Sequence, residues 1–214
     1  MMKSHTRRRR RGATVVEFTL SLTVLVPLLI GTLVFGFRLV RAQQMNQITR
    51  DMAHMYSRGL SFTTTGATTE AQTLAGQFNL TSSGSSVVIF STIQIETAAF
   101  CLAAVNNSNC PNLNQPVFVQ QIAIGNTSAN SSVFGTPTAT GSLTATTGVS
   151  NNYSTTVSAT AQANSPWAVA TNFGSILTLA GGQEAYMAEM FNNTTGLSVA
   201  GLTGAPQVYS RAIF

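Results

Sequence analysis

The sequence predicts an α+β chain in which a long N-terminal transmembrane helix is followed by a small antiparallel β-sheet domain with short helices. Three observations carry this. Residues 18–37 are twenty consecutive positions without a formal charge, and twenty helical residues rise about 30 Å, the thickness of a bilayer's hydrocarbon core. Met45, Ile48, Met52 and Met55 then recur at spacings of three, four and three, which is a helical stripe. Beyond residue 85, short apolar and alternating runs are separated by Thr-, Ser-, Gly- and Asn-rich stretches, the pattern of strands and loops.

The charge distribution sets the frame for the first element. Only 8% of the 214 residues are charged, against about 25% in an ordinary soluble domain. Lys3 and Arg7 to Arg11 hold six of the eleven basic residues, while the chain from residue 13 onward carries five against six acids. This is one basic tag on a nearly neutral chain, not the basic face of a nucleic-acid-binding domain. Six positive charges before the apolar run, with Arg38 and Arg41 after it, place the N-terminus in the cytoplasm and the rest outside by the positive-inside rule.

Three readings fit residues 1–42. The first is a cleaved secretory signal, with Val40-Arg41-Ala42 as a loose cleavage pattern. Against it stand the length of the apolar run and an Arg inside the cleavage pattern. The second is an uncleaved single-pass anchor. The third also explains Glu17, an ionisable group one turn inside the apolar helix. A charge at the bilayer centre costs about 3 kcal/mol on insertion scales, although a long side chain near the boundary reaches water.

The stretch RRRRRGATVVEFTLSLTVLVPLLIGTLVFGFRLV, residues 7–40, resembles the N-terminus of TadE-like pseudopilins of the tight-adherence (Tad) pilus machinery. Five Arg, then Gly12, then Glu17 as the fifth residue from Ala13 form a type IV prepilin-like signal. The Pro-Leu-Leu at 27–29 and the Phe-Gly before the basic residues also fit. The close likeness spans about forty residues; beyond residue 60 it is one of architecture only. Glu-Phe in place of Glu-Tyr, and a long exterior domain, set the chain apart from the short major pilins and liken it to the minor type.

The resemblance implies a pilin-like fold and cleavage between Gly12 and Ala13 by a membrane prepilin peptidase on the cytoplasmic side. The basic tail would hold that junction at the anionic inner surface. Cleavage would free an amine on Ala13, ordinarily titrating near pH 8, as a partner for Glu17 of its own chain or of a neighbour. The implied partners are the lipid bilayer, the prepilin peptidase, other Tad pilus or pseudopilin subunits and the inner-membrane platform. The implied location is the bacterial inner (cytoplasmic) membrane, with an exterior or periplasmic domain and incorporation in a surface pilus as one outcome.

The expected organisation is a basic leader at 1–12, one long helix at 13–58 spanning the membrane at about 18–37, a linker at 59–84, and an exterior Thr/Ser/Asn-rich domain at 85–214. Pro27 removes a backbone hydrogen bond and is expected to bend the membrane helix. The Met stripe of 38–58 is expected to pack on the chain's own domain or on other subunits, and Gly59 ends the helix. Within the linker, residues 69–78 suggest a short helix with Leu74 and Phe78 on one face. Residues 86–96, 117–124 and 153–163 read as three strands of an antiparallel meander, with a loop or irregular hairpin at 125–152. Residues 167–179 read as a covering loop or short helix. Residues 183–191, QEAYMAEMF, are good helix formers, and residues 207–214 alternate as a further strand.

Cys101 and Cys110 enclose a small polar loop. In an exported domain such a pair forms a disulfide, and no further metal ligand stands near them in sequence. No catalytic set is visible. Glu184 and Glu189 are five apart on the expected helix and do not share a face, His54 lacks a partner at helical spacing, and no phosphate cradle or nucleophile elbow occurs. No cofactor or metal is expected. The Asn-X-Ser/Thr triplets at Asn79, Asn126 and Asn193 arise readily in such a composition and carry nothing. Two functions remain: a minor pseudopilin or assembly component contributing to surface adhesion, or a single-pass anchored exterior binding module outside any filament.

Overall fold

The computed structural model describes the backbone of residues 6–137, 153–193 and 207–214, and side chains from residue 14 onward. The described chain forms two units, residues 1–43 and 44–214.

Helix α1, Thr6–Ser57, runs through Pro27 as one element. In the second unit its last turns are followed by α2 (Thr65–Ala75), β1 (Ser86–Ile95), α3 (Ala98–Val105), β2 (Pro116–Gly125), β3 (Tyr153–Thr156), α4 (Ala159–Asn164), β4 (Glu184–Asn193) and β5 (Gln207–Ile213). The strands form one antiparallel sheet in the order β3-β2-β1-β4-β5.

The three strands expected from the sequence pair as a meander, β1-β2-β3, the further strand expected at 207–214 is β5, and β4 completes a five-strand sheet. The largest correction is residues 183–191, where the expected helix is strand β4. The strand pairs with β1 on one side, Phe90 facing Ala188, and with β5 on the other, Ala188 facing Ala212. Two ladders of backbone hydrogen bonds and burial on both faces outweigh a helix preference of a few tenths of a kcal/mol per residue. Residues 153–163 are also corrected. The strand stops at Thr156, and Ser158 caps α4 by accepting from the Ala161 N–H, a local bond that competes with continued pairing.

The segment expected as a linker holds α2, capped by Thr64 accepting from the Ala67 N–H. Phe62, Phe78 and Leu80 around it are buried. Residues 167–179 form two single 3₁₀ turns, Pro166–Ala168 and Phe173–Ser175. Of the loop expected at 125–152, residues 138–152 lie outside the described residues.

Each face of the sheet carries its own core. On one, Val88, Phe90, Ile122, Ile124, Ala188 and Met190 meet Met45, Met52, Ala53 and Tyr56 of α1 and three alanines of α2. Thr49, also fully buried, bonds back to the Met45 carbonyl at 2.8 Å. The Met stripe therefore packs on the chain's own sheet through Met45 and Met52, with Ile48 and Met55 at its margin. Phe62 stacks on Phe90 with ring centroids 4.2 Å apart. Tyr56 shares a 2.7 Å hydrogen bond with Thr92 on β1. On the other face, Ile93, Phe118, Ala185 and Met187 are covered by Phe134, Val157, Ala161, Ala168 and Phe173. β2 ends at Gly125 with φ +110°, where a Cβ would lie 2.5 Å from the Ser86 carbonyl oxygen. Only glycine fits so close an approach of two backbones.

Candidate functional site

The first unit is a bare apolar helix. From Val15 to Val40 its large apolar side chains, the half-buried Val34 apart, stand open, Phe18 at 66% and Phe35 at 71% of full exposure. Helix α1 is long and apolar enough to cross a membrane, and none of its apolar window is covered by protein. An uncovered Val, Leu or Phe leaves about 1.5–3 kcal/mol of burial unrealised in water, and a hydrocarbon surround removes that cost.

The polar groups within this stretch are arranged for such a surround. Thr19 donates to the Val15 carbonyl, Ser21 to Glu17, Thr23 to Thr19 and Thr32 to Leu29, all at 2.8 or 2.9 Å. Each hydroxyl is satisfied inside the helix, as a medium without water requires. At Pro27 no N–H is available for the Thr23 carbonyl. A shallow groove lined by Phe18, Thr19, Leu22, Thr23, Val26 and Pro27 runs beside it on the helix surface. Glu17 is exposed, one turn after Ala13, and Gly12 and Ala13 lie on the helical backbone of the full chain.

Residues 12–54 match the family model of TadE-like protein. No curated protein and no solved structure matches the chain. The matched segment opens at Gly12, contains Glu17 and the whole uncovered apolar stretch, and ends at His54, three residues before α1 does. The five-strand sheet lies outside it.

In the second unit Cys101 and Cys110 are bridged, with Cα atoms 5.6 Å apart. The bridge is packed among Ala163, Ala104, Val105 and Leu113. A group that the sequence did not mark joins it. Glu96, five residues before Cys101, is 1% exposed, and its Oε2 is sealed without a hydrogen-bond partner. A carboxylate oxygen of Glu96 and both sulfurs lie within 4.8 Å of one another. Burial pushes the Glu96 carboxyl above its ordinary range. The usable signal was the acid just upstream of Thr97, which caps α3 by accepting from the Phe100 N–H.

The two acids expected on one helix stand on opposite faces of β4. Glu184 is exposed and accepts from the Tyr186 hydroxyl at 2.8 Å. Glu189 is fully buried and accepts from the Ser132 hydroxyl, from the Val133 N–H at 3.2 Å and from the Tyr209 hydroxyl at 2.9 Å. Nearby, Gln121 donates to Ser91 at 3.3 Å and to the Gly135 carbonyl at 3.1 Å, and accepts from Tyr153 at 2.9 Å. These groups pin the segment 132–135 across the sheet. His54 is exposed, its ring centroid 4.0 Å from that of Phe214.

Proposed function

We propose that this chain is a structural component of a Tad-type pilus or related secretion apparatus, a minor pseudopilin inserted in the inner membrane by α1. The observation that carries this reading is the TadE-like match at 12–54 falling on a helix uncovered from Val15 to Val40. The bare apolar surface falls wholly inside the family segment, whose remaining residues from Met45 onward pack on the chain's own sheet.

In this reading the basic leader stays at the cytoplasmic surface, and prepilin peptidase cuts between Gly12 and Ala13. The new amine is mostly cationic at neutral pH. Glu17, one helical turn away, neutralises it within the chain, or reaches the amine of an adjacent subunit and sets its register. The sheet domain is carried outside, where its Thr-, Ser- and Asn-rich, charge-poor surface contributes to adhesion through shape and hydrogen bonding. The chain does structural work and performs no catalysis.

The test is the mass of the membrane form in a host with the cognate peptidase. A mature chain starting at Ala13, recovered with other pilus proteins, supports the reading. A start near Gln43 identifies a secretory signal and ends it. An intact N-terminus with no associated pilus protein leaves the anchored binding module as the function.

A further inference from the structure

We propose that Glu96, Cys101 and Cys110 form a redox-gated site for one divalent cation of the zinc class, closed while the bridge is intact and opened when it is reduced. The starting point is a defect in the fold. A buried carboxylate oxygen without any hydrogen-bond donor is costly, and such a group in a native structure calls for a reason, an ion being one of the few. Glu96 Oε2 is such an atom, and the side chain is 1% exposed. Its carboxylate stands with the two sulfurs in one cluster, all three donors within 4.8 Å of one another.

The donor set selects the metal. Two thiolates and one carboxylate suit zinc, whereas calcium and magnesium require several oxygens. The spacing fits as well. Two Zn–S bonds of about 2.3 Å at a tetrahedral angle hold the sulfurs about 3.8 Å apart. Cα atoms 5.6 Å apart reach that separation by small side-chain rotations. Glu96 lies between the end of β1 and the cap of α3, and its backbone is tied to Gln115 and Asn114 at 3.0 and 2.9 Å. Its carboxylate is thus presented from a fixed point.

The chemistry balances with a dithiol reductant. The reductant gives two electrons and two protons to the Cys101–Cys110 bond and becomes a disulfide itself, leaving two thiols. The cation then displaces the two thiol protons and binds the thiolates and the Glu96 carboxylate. The metal closes the same loop that the bridge closed, so the two states exclude each other at the sulfurs.

The experiment uses the full chain in detergent, oxidised or reduced with a non-chelating phosphine, titrated with cobalt(II) and back-titrated with zinc. The reduced wild type is expected to bind one cobalt with thiolate-to-metal absorption, which zinc abolishes at one equivalent. The oxidised chain is expected to show none. Glu96→Gln, of the same shape but lacking the charged donor, is expected to bind at least about tenfold more weakly. Equal binding by Glu96→Gln, equal binding by the oxidised chain, or no binding by a folded reduced chain would overturn the proposal. Should reduction unfold the chain, recovery of cooperative unfolding by zinc in wild type and not in Glu96→Gln supports it. A reduced chain that stays unfolded with zinc overturns it.

Discussion

Tyr209 on β5 donates a hydrogen bond from its hydroxyl to the buried carboxylate of Glu189 on β4, 2.9 Å away. With Ser132 and the Val133 N–H on the same carboxylate, one acid gathers donors from the edge strand and from the segment that crosses the sheet. Arg211 on β5 lies 5.4 Å from the centre of the Phe134 ring in that segment, a second tie between the same parts.

Removing the acceptor orphans three donors at once. Glu189→Ala is expected to cost about 3 kcal/mol or more, and Glu189→Gln less, since one carbonyl acceptor remains. Denaturant unfolding of the detergent-solubilised chain, followed by Trp167 fluorescence, measures both. Equal stability of all three would show that the carboxylate pins nothing.

The same group gives a pH dependence. Burial raises the Glu189 pKa above its ordinary 4.5, against the pull of its hydrogen bonds and of Arg211. The folded chain therefore binds this proton more readily than the unfolded chain. The stability it contributes is fully present below the ordinary value and is lost as pH rises through the raised one. Wild type should lose stability from pH 4.5 toward neutrality more steeply than Glu189→Gln. Matching slopes would refute this.

Phe62 fills the space between α1, α2 and β1 by stacking on Phe90. Phe62→Ala is expected to destabilise by about 3–5 kcal/mol. Tyr56→Phe keeps the packing but strands the Thr92 hydroxyl, and about 1 kcal/mol is expected. The two midpoint shifts, compared in one denaturant series, rank packing above the single hydrogen bond; a reversed order would contradict the burial pattern.

The Cys101–Cys110 bridge closes a loop of nine residues, worth about 2.5 kcal/mol in the chain-entropy account. Thiol alkylation without reductant should label neither cysteine, and the Cys101→Ser/Cys110→Ser chain should unfold at correspondingly lower denaturant. Free labelling of both thiols in the membrane form would contradict the bridge.

For the proposed assembly role, Glu17→Ala should leave cleavage and insertion intact but lower recovery with pilus proteins by 100-fold or more, about the effect of losing a few kcal/mol of buried charge pairing. Gly12→Val should block cleavage while insertion persists, since a branched side chain would obstruct the peptidase groove. Co-purification and mass analysis of each variant decide. Normal recovery of cleaved Glu17→Ala would remove Glu17 from subunit register.

The helix was legible from its length and apolar character, the strand runs at 86–96 and 117–124 from their short clusters of β-branched and aromatic residues, and the C-terminal strand from its alternation. The residues of β4 were not. Ala185, Met187, Glu189 and Phe191 share one face and Tyr186, Ala188 and Met190 the other, and since both rows pack inward no polar-apolar alternation marks the strand. The burial of Glu189 depends on Ser132 and Tyr209, 57 and 20 residues away in sequence. Glu96 was missed for a related reason. Its meeting with the sulfurs is made by the turn from β1 into α3, and only the five-residue interval to Cys101 hints at it. At the N-terminal helix it is the apolar run that was readable, because the match to the TadE-like model and the exposed side chains both follow from a local stretch of sequence.

Met45, Met52, Ala53 and Tyr56 belong to the same helix as the uncovered apolar stretch and also to the core under β1 and β4. A protease acting after Ser57 could not release an intact sheet, because the cut would leave four core side chains behind. Shedding of this chain would have to begin before Gln44, and the domain shed would carry a helical stub as part of its own interior.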